Sequence, residues 1–141
     1  MYILDTDHVG ILQRATGAEY SALSRRISRQ SQTDLYVTIV SFHEQLLGWN
    51  AYIARAKSQA EIVRGYRRME RILSDFSSAQ LLPFDDDAGD RFDQLRRQHV
   101  RIGTMDLRIA AVALTRNMSV LTRNLVDFER VPGLTVEDWT A

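Results

Sequence analysis

Short apolar runs that stop at a polar residue and pass into a helical pattern recur along this chain, and that alternation restricts its fold more than any other feature. Residues 1–4 are apolar and end at Asp5-Thr6-Asp7, after which Val9, Ile11 and Leu12 continue at helical spacing. Leu35–Val40 is rich in β-branched and aromatic residues, which predicts a second strand. Ser41 then opens a helix, and Ser41-Phe42-His43-Glu44 fits a capping box, with Ser accepting from the N3 amide and Glu reaching back. Ser119–Thr122 reads as a strand, and Leu81-Leu82 and Leu134–Val136 as shorter ones.

Helical segments separate these strands. They run from Ala18 to about Ser31, from Gln59 to Phe76, from Asp85 or Asp86 to about Val100, and from Gly103 through Leu114. The last is small and apolar on nearly every side, as a helix covered on more than one face must be. In the 59–76 segment, Ile62, Val63, Tyr66, Met69, Ile72 and Leu73 predict a long helix paired with the preceding one. Strands alternating with helices imply an α/β sandwich around a mainly parallel sheet. With 141 residues, a single domain spanning 1–141 buries roughly two thirds of the unfolded surface and needs no covalent staple.

The chain has no cysteine, which excludes disulfides, cysteine-ligated metals and thiol catalysis and suits a reducing cytoplasm. No basic leader or long apolar run is visible, so neither a signal peptide nor a membrane span is expected. Eighteen basic residues balance 18 acidic ones, so net charge does not point to nucleic acid. Within residues 50–80, however, Arg64, Arg67, Arg68 and Arg71 form a basic helical face, either solvated or turned to phosphate.

Parallel sheets place their sites beyond the carboxyl ends of the strands. Asp5, Ser41, Glu44, Asp106, Asn124 and Asp127 all fall at such positions. Each acid alone is explained as a helix cap. Together they repel one another, and a bound cation makes the arrangement inexpensive. Oxygen-only ligation indicates a hard ion, Mg²⁺ or Mn²⁺. His8, His43 and His99 lack metal-ligand spacing and are expected on helix surfaces or partly packed. Asp85-Asp86-Asp87 is expected to cap a helix, and Trp49 and Trp139 to serve core or interface.

Four segments together resemble a known family: Met1-Tyr-Ile-Leu-Asp5-Thr-Asp-His8, Val40-Ser-Phe-His-Glu44-Gln-Leu-Leu-Gly48, Ile102-Gly-Thr-Met-Asp106-Leu-Arg-Ile-Ala-Ala111, and Val120-Leu-Thr-Arg-Asn124-Leu-Val-Asp127 with its continuation to Leu134. In order and spacing they are similar to PIN-domain ribonucleases, and especially to the VapC-type toxins of bacterial toxin–antitoxin pairs. The resemblance implies a PIN-like α/β/α sandwich with a central, mainly parallel sheet and a helical arm. It further implies a Mg²⁺- or Mn²⁺-dependent endoribonuclease acting on RNA such as tRNA, a homodimer, and inhibition by a cognate VapB-like antitoxin. Asp5, Glu44 and Asp106 correspond to three acidic positions of the family. Asn124 stands where many members have Asp, and Asp127 is a further candidate ligand. Thr6, Ser41 and Thr104 resemble hydroxyl residues that orient the site carboxylates.

Two other readings compete. Leu4-Asp5-Thr6-Asp7-His8-Val9 resembles the strand-ending Asp-x-Asp of haloacid dehalogenase-type phosphatases, with Asp5 as nucleophile, although Lys57 is the only lysine available. A non-catalytic binding module that retains the acids is the other.

Overall fold

The computed structural model describes residues Met1–Ala141. Five strands carry the architecture: β1 (Tyr2–Leu4), β2 (Leu35–Thr38), β3 (Leu81–Leu82), β4 (Ser119–Leu121) and β5 (Val136–Glu137). They form one sheet in the order β3-β2-β1-β4-β5, and every neighbouring pair is parallel. The first strand therefore lies at the centre, with Ile3 in register with Tyr36 on one side and Val120 on the other.

Successive side chains of a strand point to opposite faces. Accordingly Ile3 and Val120 enter one apolar cluster and Leu4 and Leu121 the other. The first cluster is built on α5 (Asp86–Arg97) and α6 (Thr104–Thr115), where Ile109 through Ala113 are fully buried, as the all-round apolar sequence requires. The second packs α1 (Thr6–Arg14), α2 (Ala18–Ile27), α3 (Ile39–Ala54) and α4 (Gln59–Ser77) around Leu23, Ile72, Phe76 and Trp139. The Trp139 ring packs against the tilted Tyr2 ring, 4.7 Å away, and the Arg26 guanidinium lies over it at 4.8 Å. Each face of the sheet is thus covered by helices, and α7 (Leu125–Phe128) follows β4.

Three boundaries differ from the sequence reading, each for a local reason. β2 stops at Thr38, and α3 begins at Ile39, because the Thr38 side chain accepts from the Ser41 amide and caps the helix two residues into the β-branched run. Ser41 is therefore the third residue of the helix, and the expected Ser41–Glu44 capping box does not form; Glu44 is left free in the second turn. The second helix ends at Ile27, and Ser31 instead caps a one-turn 3₁₀ helix, Gln32–Asp34. α5 ends at Arg97, before His99, whose φ of 61° is incompatible with continuing the helix. Asp85 caps α5 as expected, accepting from the Ala88 amide.

α3 and α4 pack as a helical arm. Gly65 is buried at their contact, where a Cβ would run into the Ile53 side chain, so only glycine lets the helices approach this closely. The apolar stripe of α4 is wider than this contact: Ile72 is buried, while Val63, Tyr66 and Leu73 stand 45%, 56% and 59% exposed. No helix is long and apolar enough to cross a membrane.

Candidate active site

The carboxyl ends of β1, β2 and β4 and the start of α6 converge on a group of acids. Asp5 follows β1 and caps α1, accepting from the Thr6 amide through Oδ1 at 2.8 Å. Its other oxygen accepts from the hydroxyl of Thr122, a wholly buried residue at the end of β4, also at 2.8 Å. Asp5 is only 5% exposed. Burial, joined by repulsion from Asp7 and Asp106, pushes its carboxyl up to about 7 despite the hydrogen bonds from Thr122 and Thr6.

Asp106 occupies the first turn of α6 and accepts from the Asn124 amide nitrogen at 3.2 Å. Burial and the neighbouring Glu44 raise it to about 6, with Asp127 and Asp7 adding to the repulsion and the Asn124 hydrogen bond opposing it. Glu44 is anchored by Thr6, whose hydroxyl donates to Oε1 at 2.7 Å and lies 2.9 Å from Ser41 Oγ. Asp5, Glu44 and Asp106 each offer a carboxylate oxygen, and the three atoms lie within 4.8 Å of one another.

That donor set fits a small hard dication. It is all oxygen, its charges are mutually repulsive, and burial has raised two of its members in a way that a cation would reverse. Mg²⁺ and Mn²⁺ are the ions whose chemistry such a set suits.

The structure also brings Asn124 and Asp127 to this centre. Asn124 Nδ2 bridges Asp106 and Asp127, the latter at 2.9 Å. Thr104 is elsewhere: it is exposed at the first residue of α6 and makes no hydrogen bond to a site carboxylate, because its position in the turn faces a neighbouring cleft. Arg64, Arg68 and Arg71 line a separate groove with Arg14 and Trp49, while the exposed Arg67 does not reach it. His43 is exposed as expected.

His8 overturns its expected surface or partly packed role. It is fully buried, and its Nε2 accepts from the Trp139 amide at 3.3 Å, which leaves Nδ1 to donate to Asp7 at 2.7 Å. Burial alone would raise Asp7, but hydrogen bonds from His8 and from the Arg123 amide outweigh it and hold Asp7 below its ordinary value. Trp139, His8 and Thr122, all buried, thus form a brace behind Asp5 together with the half-buried Asp7. The Asp5-x-Asp7 spacing and the hydroxyl just before Arg123-Asn124 are the only sequence signals that could have disclosed it.

The model of the PIN domain matches residues 2–134 of this chain. The chain belongs to the PIN-domain family. Within it, the chain is similar to the tRNA(fMet)-specific endonuclease VapC of Salmonella typhimurium, 39% identical over 67 residues, an alignment that spans 45% of this chain and 51% of that protein. It is also 28% identical over 138 residues to ribonuclease VapC1 of Rickettsia felis, covering 95% of this chain and 92% of the relative. Among solved structures, DNA-bound VapBC from Salmonella typhimurium superposes with a TM-score of 0.73 at 24% identity, covering 98% of this chain and 97% of that one. FitAcB from Neisseria gonorrhoeae gives 0.72 at 24% identity with the same coverage. These structures share the PIN-domain fold described above. The phosphatase reading falls with this assignment, and Lys57, its only available lysine, is exposed in the turn between α3 and α4.

Proposed function

We propose that this VapC-like PIN-domain protein is a Mg²⁺- or Mn²⁺-dependent endoribonuclease toxin whose substrates include tRNA and which a VapB-like antitoxin neutralises. The observation that carries the proposal is the convergence of Asp5, Glu44 and Asp106 at the carboxyl end of the sheet, with oxygens within 4.8 Å of one another. Relatives named as ribonucleases and a tRNA endonuclease support the choice of reaction and substrate.

In this reading Asp5 and Asp106 hold the ion, and Glu44 holds it or positions the attacking water. When bound, the cation supplies an activated water and offsets charge on the phosphoryl oxygens. The chain supplies the orientation. Thr122 fixes Asp5 from behind, Thr6 fixes Glu44, and Asn124 fixes Asp106, so the carboxylates are set before RNA arrives. Asp127 either joins the ligand set or stays an outer partner through Asn124.

The exposed apolar side chains of α4, beside its arginines, suit an amphipathic antitoxin helix or a second copy of the chain. A cationic side chain from the antitoxin would neutralise the acids. The deciding experiment is cleavage of an end-labelled tRNA panel in Mg²⁺, Mn²⁺ or EDTA by wild type, Asp5→Asn and Asp106→Asn. Metal-dependent cleavage lost in both variants supports the proposal; wild-type rates in either variant, or in EDTA, refute it. Light scattering of the chain alone and with its antitoxin reads the dimer.

A further inference from the structure

A second feature borders the acidic centre and is chemically its opposite. The end of α5, the loop to α6 and the segment after α7 enclose an open cleft of about 640 Å³, within the size range of small-ligand sites. Three guanidinium groups, Arg96, Arg101 and Arg130, line it together with His99, and Asp127 is the only acid in its wall. In a chain whose formal net charge is zero, this is a concentrated local excess of positive charge.

Two of the three arginines carry no internal counter-charge. Neither Arg96 nor Arg101 forms an ion pair within the chain. Arg96 is steadied over the Phe92 ring, 5.5 Å from its centroid, which orients the group without neutralising it. Arg130 donates to the Arg101 carbonyl at 3.3 Å and lies 3.7 Å from Asp127 Oδ1. The other oxygen of Asp127 accepts from Asn124, which donates in turn to Asp106. One carboxylate therefore belongs to both the cleft wall and the network of the acidic centre.

We infer that this cleft binds the sugar–phosphate backbone of single-stranded RNA next to the scissile bond, with Arg96, Arg101 and Arg130 as its phosphate contacts. The inference rests on the ribonuclease reading above and adds the surface that reading lacks. A cluster of buried and half-buried carboxylates repels a polyanion, so substrate approach requires nearby cations to hold the strand. Guanidinium groups suit phosphate oxygens in charge and geometry. The groove of the helical arm is also basic, but it contains none of Asp5, Glu44, Asp106, Asn124 or Asp127. Of the two basic grooves, the α5–α6 cleft is the one that shares a residue with the centre.

The test is fluorescence anisotropy of a labelled, unstructured oligoribonucleotide in EDTA across a salt series. The triple variant Arg96→Gln, Arg101→Gln, Arg130→Gln is compared with a control that removes equal charge from exposed arginines elsewhere, Arg25→Gln, Arg29→Gln, Arg55→Gln. Three lost phosphate contacts should flatten the slope of log affinity against log salt by about 2 and weaken binding at least tenfold, roughly, near physiological salt. The control should move the slope by less than half as much. Equal losses in both variants overturn the inference, as does an unchanged slope in the cleft variant. If the triple variant melts early, Arg96→Gln and Arg101→Gln singly remove no ion pair, and each should lower the slope by about 0.7. Binding in EDTA needs no turnover, so wild-type cleavage rates in Asp5→Asn or Asp106→Asn refute the ribonuclease reading without deciding this one.

Discussion

The side-chain nitrogen of Asn124 donates to Asp106 at 3.2 Å and to Asp127 at 2.9 Å. Both acceptors are carboxylates, so the nitrogen and not the oxygen must face them. Asn124 thus separates two acids by giving each a hydrogen bond, where an aspartate would add a third charge.

Asn124→Asp should therefore lower the melting temperature of the metal-free protein by several degrees and shift half-maximal cleavage to a lower Mg²⁺ or Mn²⁺ concentration. Asp127→Asn should shift that concentration upward if Asp127 contributes to the site. Melting curves in EDTA and metal titrations of RNA cleavage check both; coincident titrations for wild type and the two variants would remove these residues from the ligand set.

Stability of the metal-free protein should depend on pH in a defined sense. Asp5 and Asp106 are raised to about 7 and about 6, so their protonated forms favour the fold below about 4, and this contribution is lost as pH rises through 6 to 7. Asp7 is lowered and acts oppositely, its contribution being lost on acidification. In EDTA the wild type should melt lower relative to Asp5→Asn at pH 8 than at pH 5.5, and Mn²⁺ should restore more stability at pH 8. Differential scanning calorimetry at the two pH values reads this directly; a pH-independent difference between wild type and Asp5→Asn would contradict it.

Removing the hydroxyls behind the acids should separate positioning from folding. Thr122→Val deprives buried Asp5 of one of its two donors and should cost about 1–3 kcal/mol of stability as well as activity. Thr6→Val releases Glu44 near the surface, with a smaller loss of stability and a clear fall in cleavage. Urea unfolding beside single-turnover cleavage distinguishes the two patterns.

His8→Leu keeps bulk but leaves the Trp139 amide and Asp7 without their partner. It should lower the urea midpoint, by about 1–3 kcal/mol in stability, more than His43→Leu at an exposed site. Equal midpoints would mean that the brace adds nothing.

Replacing Arg64, Arg67, Arg68 and Arg71 with Gln tests the arm. Arg71 donates to the Gln13 carbonyl at 3.4 Å and Arg68 lies over Trp49, so part of this face is occupied by contacts within the chain. The salt slope of RNA binding should fall less than for the α5–α6 cleft, and a larger fall would assign the strand to the arm.

The acids of the centre were legible because strand endings can be read from where apolar runs stop, and Asp5 and Asp106 stand where those runs meet helix starts. Glu44 was legible for a different reason from the one its spacing suggested, since Thr38 took the capping role and freed it. Local pattern could not choose between Thr38 and Ser41, because Ile39 and Val40 suit a strand by propensity and were recruited to the helix by the cap. The burial of His8 has no local sign, because the partner of its Nε2 is the Trp139 amide, 131 residues away. The cleft arginines were equally hidden. Arg96 and Arg101 sit in one short basic stretch, residues 96–101, but nothing in the sequence joins that stretch to Arg130 or to the acids.

The placement of β1 between β2 and β4 has a consequence for the order of events in the cell. The hydroxyl that fixes Asp5 is made 117 residues after it, and the sheet partner on its β4 side is made in the same late stretch. The arm, formed by α3 and α4, is complete long before. Every residue of the arm is therefore made before β4 and Thr122, so a chain still in synthesis carries the whole arm while its acidic centre is unassembled.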